Sequence, residues 1–210
     1  AYPQPDNGPS FARSIVEHYL TAEQLEIPII VPMDVKRDPA QQVYAQAAET
    51  IAHHLDAGSD VAVLCEGDPF FYGSFMYVYQ HLADRYHCEI VPGVSSIMAA
   101  SAAWGRPIAA RNDVFTVLPG PLSDDELRAQ IEDVNAVAII KLGRHFQRVR
   151  ALLEEMGLLD QCGYCERVTL GNEKVMPLAG VTETDAPYFS MILMYKGAEG
   201  WVSRLPNRRV

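Results

Sequence analysis

Long apolar runs are missing from this sequence. None approaches the roughly 20 residues that a membrane-spanning helix needs, and the polar, proline-rich opening has no secretory signal pattern. Positive charge is scarce as well: 17 Lys and Arg stand against 27 Asp and Glu, a formal net charge of −10. Phosphate backbones are bound through basic surface, so the charge balance disfavours nonspecific nucleic-acid binding. An anionic substrate meets long-range repulsion and needs a local island of Arg and Lys. Cysteine is sparse, at Cys65, Cys88, Cys162 and Cys165. A zinc site wants two more ligands near the lone Cys162/Cys165 CxxC, and none follows at suitable spacing. The reading is of reduced cysteines in a cytoplasmic protein with no metal site. No internal repeat or low-complexity segment interrupts the chain.

What is present is ordinary soluble material: 49% hydrophobic and 21% charged over 210 residues, enough for one large domain or two small ones. The informative stretch is residues 61–110. It reads as two strand–turn–helix units in tandem, with small and acidic residues at each turn. The first turn is Glu66-Gly67-Asp68-Pro69 and the second is Pro92-Gly93-Val94-Ser95-Ser96. In α/β proteins ligands gather at such strand ends. Each turn alone has a bland explanation. Glycine permits a tight exit, aspartate or serine caps the next helix, and proline suits its first position. Two such turns on consecutive strands make a shared crevice the better reading.

The remaining elements follow from period and punctuation. Residues 1–10 read as a loop, Ser10 as the cap of a helix over 11–20, and 27–32 as an edge strand. Val43, Ala47, Ile51 and Leu55 recur at spacing four, one face of a helix over 39–57 that Gly58-Ser59 ends. His53 and His54 on it point about 100° apart and make poor co-ligands. The spans 60–65 and 88–91 read as strands, the first buried on both faces; 69–86 and 95–103 read as helices. Past a junction near 106–112, helices are expected at 124–133 and 144–157. Strands are expected at 113–118, 136–142, 163–169, 174–178 and 188–196, the last three antiparallel. The tail after Trp201 is basic and expected to fray. Lys141 ends an apolar strand. With Arg106, Arg111, Arg144 and His145 it is a candidate for the cationic island, against the alternative of a solvated rim. Tyr188 is unremarkable if it is core.

Five segments together cover most of the chain: AYPQPDNGPSFARSIVEHYL, CEGDPFFYGSFMY, VPGVSSIMAASAAWGRPIAARNDVFTVLPGPL, IIKLGRHFQRVRALLEEMGL and APYFSMIL. In this order they resemble the tetrapyrrole (corrin/porphyrin) methylases. The resemblance implies two α/β domains, a mostly parallel N-terminal one over 1–110 and a mixed-sheet C-terminal one over 111–210, with a ligand cleft between them. The family usually opens with a strand and a glycine-rich GxGPGD loop, and this sequence aligns only after that loop.

What the resemblance implies about function is S-adenosyl-L-methionine-dependent methyl transfer, with S-adenosyl-L-homocysteine as product. Within the family the likeness points to methylation at C-20 of precorrin-2 or cobalt-precorrin-2 in cobalamin biosynthesis, by a homodimer. Carried over position by position, Glu66, Gly67, Asp68, Phe71, Ser95, Ser96, Leu142, Val168 and Ser190 line the cofactor. Lys141, Tyr188, Arg106 and Arg111 face the substrate, a polycarboxylate macrocycle. Asp68 is the candidate catalytic residue, stabilising the sulfonium or assisting proton loss. Two other readings stand beside this one: a methylase of another acceptor, and a noncatalytic tetrapyrrole- or cofactor-binding protein.

Overall fold

The computed structural model describes residues 1–31, 37–197 and 199–202, so most of the basic tail lies outside the described residues. The chain divides into two compact units, Ala1–Ser95 and Ser96–Val210. The second unit begins earlier than the expected boundary at 111. The reason is the helix Ser96–Trp104 (α4), whose Ile97, Ala100 and Trp104 pack with Ala138, Cys165, Met191 and Leu193 of that unit. No described helix is long and apolar enough to cross a membrane.

In the first unit a strand Tyr2–Pro5 (β1) runs parallel to Pro28–Val31 (β2), with Tyr2 opposite Pro28. The expected loop at the start of the chain is therefore corrected to a strand: extended, proline-rich backbone suits a two-stranded edge. Ser10 caps the helix Phe11–Val16 (α1) by accepting from the Arg13 N–H at 3.2 Å. The core lies between the helices Arg37–Asp56 (α2) and Phe75–Leu82 (α3). Tyr44, Ala48, Ile51 and Ala52 of α2 meet Val78 and Leu82 of α3, and the Tyr44 and Tyr77 rings stack at 5.3 Å. Gly58, at φ 84°, ends α2 as expected.

Two expected strands do not form. Residues 60–65 bond to the rest of the unit at Ala1, which donates to Ala62 and accepts from Leu64. A ladder needs a neighbour along its length, and here the apolar side chains are half-buried rather than covered on both faces. Residues 88–91 form no ladder either, and Val91 is 72% exposed. The following helix is also shorter than expected: residues 69–73 are turns, and α3 starts at Phe75.

The second unit holds a five-stranded mixed sheet. Its strands are Phe115–Pro119 (β3), Ala136–Ile140 (β4), Cys162–Glu166 (β5), Lys174–Pro177 (β6) and Ser190–Tyr195 (β7), in the order β3-β4-β7-β5-β6. Only the β3–β4 pair is parallel, and the last three strands pair antiparallel as expected. Alternation along β4 covers both faces. Val137 and Ile139 join the core under the helices Asp124–Glu132 (α5) and Phe146–Glu155 (α6), while Ala138 meets α4 on the other. A capping box between Ser123 and Glu126 starts α5. Gly163 of β5 lies against the Trp104 ring, where a Cβ would fall 2.3 Å from the nearest indole carbon.

Candidate functional site

The chemistry-bearing residues gather at two places, one in each unit. In the first unit the two turns touch. Gly67 leaves residues 60–65 with φ 68°, which glycine adopts without strain. Asp68 then binds both turns. Its Oδ1 accepts from the Phe70 N–H at 2.9 Å, and its Oδ2 accepts from the Gly93 N–H at 3.0 Å. These backbone donors hold the carboxyl below the usual aspartate range. Gly93 sits so close that a Cβ there would lie 2.0 Å from the Gly67 carbonyl oxygen. Gly67-Asp68-Pro69 is thus not a helix start; it is one half of a two-turn clamp.

Around the clamp the surface is apolar and negatively charged. Phe70, Phe71, Tyr72 and Val94 are exposed, with Tyr72 left-handed at φ 57°. Glu66 is exposed as well. The neighbouring Cys65 thiol is pushed up to about 11, first by burial and then by the charges of Glu66 and Asp68. The carboxylates of Glu66 and Asp68 place negative charge beside the turns, which favours a cation such as a sulfonium or ammonium. Exposed aromatic faces suit a purine or another flat ring. Ser95 closes this unit and Ser96 opens α4.

In the second unit, β3, β4 and β5 end where β6 and β7 begin. Gly120 donates to the Ile140 carbonyl at 2.7 Å, and a Cβ on it would meet the Lys141 carbonyl at 3.0 Å. Lys141 follows β4 with φ 57°, exposed at the end of the sheet. Leu142, expected against a cofactor, is fully buried in the core under α6. Val168 is half-buried between two left-handed residues, Arg167 at φ 48° and Thr169 at φ 71°. Ser190 is buried, and its Oγ donates to the Pro187 carbonyl at 2.6 Å. Tyr188 is 73% exposed and stands edge-on to Phe189, so it is not core; it precedes β7 rather than belonging to it. Beside Lys141, His145 is lowered by burial and by Arg144 and Arg148.

Of the expected cationic island, Arg144 and His145 follow Lys141 in the turn Gly143–His145, whereas Arg106 and Arg111 lie elsewhere. Arg106 and Arg111 precede β3, whose first residue pairs with the start of β4; Lys141 follows the end of β4. Five strand residues at about 3.3 Å each put them roughly 16 Å apart at opposite ends of the sheet. Both arginines also hold the chain's last described segment. Arg106 donates to the Val202 carbonyl and lies over the Trp104 ring at 5.6 Å, and Arg111 pairs with Glu199 at 3.0 Å. Sequence reasoning missed two further cations at Lys141's end. Arg167 and Lys174 flank the β5–β6 turn, with Arg167 paired to Glu166 and Lys174 to Glu183. Their signal was the ladder register, which no single strand reveals.

Comparison with known proteins places the chain in a family. The tetrapyrrole (corrin/porphyrin) methylase family matches residues 6–181. The cobalamin biosynthesis protein CobIJ of Mycobacterium tuberculosis is 42% identical over 94% of this chain and 40% of its own length, so the chain spans about two fifths of that relative. The precorrin-2 C(20)-methyltransferase of a Sinorhizobium species is 36% identical over 91% of this chain and 80% of that protein. Among solved structures, the methyltransferase CobJ covers all of this chain and 95% of its own at TM-score 0.60 and 19% identity. The cobalt precorrin-4 methyltransferase CbiF gives TM-score 0.61 at 16% identity, over 96% of this chain and 84% of its own. With five-sixths of its length matched by the family, this chain belongs to the tetrapyrrole (corrin/porphyrin) methylases.

Proposed function

We propose that this chain is an S-adenosylmethionine-dependent C-methyltransferase acting at C-20 of precorrin-2 or its cobalt form, in cobalamin biosynthesis. The observation that carries the reading is the 36% identity to the Sinorhizobium enzyme across 91% of this chain. The residues of the clamp fit the methyl donor. Glu66 and Asp68 supply negative charge, the Gly67–Gly93 contact leaves backbone without side-chain cover, and Phe71 offers an apolar face. When bound, S-adenosylmethionine supplies an electrophilic methyl group. The protein's own work is then alignment and exclusion of water rather than acid–base chemistry.

Asp68 takes the structural and electrostatic part of that work. Both its oxygens accept backbone hydrogen bonds, and its carboxyl is held below the usual range. A carboxylate so satisfied is a poor proton acceptor and a good fixed negative charge. Proton loss from the methylated carbon therefore falls to another group or to water. Assembly as a homodimer belongs to the same proposal. The test is a methyl-transfer assay with purified protein, labelled donor, and metal-free and cobalt-loaded precorrin-2, with NMR locating the new methyl. Label at C-20 supports the reading; label at another carbon or none refutes it.

A further inference from the structure

We propose that Arg167 is a specificity-determining residue that reads a peripheral carboxylate of the macrocycle; this rests on the methyl-transfer reading above. A chain of net charge −10 can hold a polyanion only where cations are concentrated. Arg106 and Arg111 are committed at the far end of the sheet. At the near end, β5 closes on Glu166, which pairs with Ser190 at the start of β7, and Arg167 follows immediately. Lys141 follows β4 on the other side of β7. The two cations thus flank one strand start, about two strand spacings or roughly 10 Å apart.

Arg167 differs from a solvated surface cation in three ways. Its backbone is left-handed at φ 48°, a strained conformation for a non-glycine residue and one that clusters at functional positions. Lys141 and Thr169 share that conformation at the same end of the sheet. Its guanidinium is fixed: Nη1 donates to Glu166 Oε1, and Glu166, only 13% exposed, also accepts from the Tyr164 hydroxyl at 2.7 Å. Finally, the guanidinium has donors to spare. Among the described residues Glu166 is the side-chain partner of Arg167, engaged through Nη1 alone, and the side chain is 36% exposed. A pre-oriented fork with unused N–H groups suits bidentate recognition of a carboxylate. Tyr164 and Glu166 act as positioning residues, through Arg167.

The test compares Arg167→Gln and Arg167→Lys with the unaltered chain. Steady-state rates are measured against precorrin-2 at saturating donor, and S-adenosylhomocysteine affinity is measured by calorimetry. Equilibrium binding of uroporphyrin III, a polycarboxylate tetrapyrrole, is followed by fluorescence across a salt series. Arg167→Gln is expected to raise KM for precorrin-2 and Kd for uroporphyrin about tenfold and to flatten the salt dependence, with kcat and S-adenosylhomocysteine affinity within about twofold. Arg167→Lys, which keeps charge but loses the fork, is expected to recover only part. Unchanged tetrapyrrole constants in a variant of normal Tm would overturn the inference. So would an equal loss of S-adenosylhomocysteine affinity, which would assign the guanidinium to the donor's own carboxylate. An unaltered chain that binds uroporphyrin through Arg167 yet leaves precorrin-2 unmethylated would sink the activity and keep this inference. An active chain indifferent to Arg167 would do the reverse.

Discussion

Adding one methyl group at Gly93 is expected to part the two turns of the first unit. An alanine Cβ would lie 2.0 Å from the Gly67 carbonyl oxygen, 2.8 Å from its carbon and 3.3 Å from the Asp68 Cα. All three neighbours are backbone, so no flexible side chain can swing aside. Ordinary heavy-atom contacts lie near 3.5 Å, and relief requires the turns to separate by roughly 1.5 Å. That displacement stretches the 3.0 Å bond from the Gly93 N–H to Asp68 beyond hydrogen-bond range. The expected steric cost is about 1–3 kcal/mol, with S-adenosylhomocysteine affinity falling at least tenfold if the clamp lines the donor. Two glycines serve as controls. Gly171 has open space and no left-handed backbone, so Gly171→Ala should stay within about 0.5 kcal/mol. Gly58 has open space but φ 84°, so Gly58→Ala should cost about 1–2 kcal/mol from backbone strain and leave binding unchanged. Guanidinium unfolding and calorimetry read the three variants. A Gly93→Ala protein as stable as Gly171→Ala, binding normally, would refute the reasoning.

Asp68 adds a pH dependence whose sign follows from its lowered pKa. A carboxylate bound more tightly as an anion contributes fully above the ordinary aspartate value near 3.9, and its contribution is lost as acid protonates it through the lower folded value. The stability gap between the unaltered chain and Asp68→Asn should therefore be flat above about pH 5 and close below about pH 4. Burial raises Cys65 to about 11 and Cys162 and Cys165 to about 12. A thiol reagent at pH 7.5 should consequently label at most one cysteine quickly in the native protein and all four after unfolding; rapid labelling of three would contradict the packing. Gly163→Ala should destabilise the second unit by about 1–3 kcal/mol in thermal unfolding, because its Cβ meets the buried Trp104 ring. Trp104→Phe should then restore part of the loss.

Much of the second unit is legible in the amino-acid sequence. Its apolar spans and the amphipathic period of α6 are local signals, and each element forms within about three residues of its expected bounds. The first unit is less legible. Residues 60–65 and 88–91 have strand composition, yet a strand exists only if a neighbour completes its hydrogen bonds, and composition carries no neighbour. At the clamp, Gly67, Asp68 and Gly93 are visible as turn residues. That Asp68 spends both oxygens on the two turns, 25 residues apart in sequence for Gly93, is not.

The sequence alone determined the α/β class, the order of elements in the second unit and the residues from which a polyanion site must be assembled, because periodicity, caps and charge are properties of short windows. Tertiary structure alone decided which cations stand together. Lys141 and Arg167 stand on either side of β7 because two antiparallel ladders bring strand ends 26 residues apart to one edge. Arg106 and Arg111, near in sequence to β3, are carried to the other edge by the direction of that strand and held there by Glu199 and Val202. Register and strand direction are long-range facts of hydrogen bonding, and no window of the chain contains them.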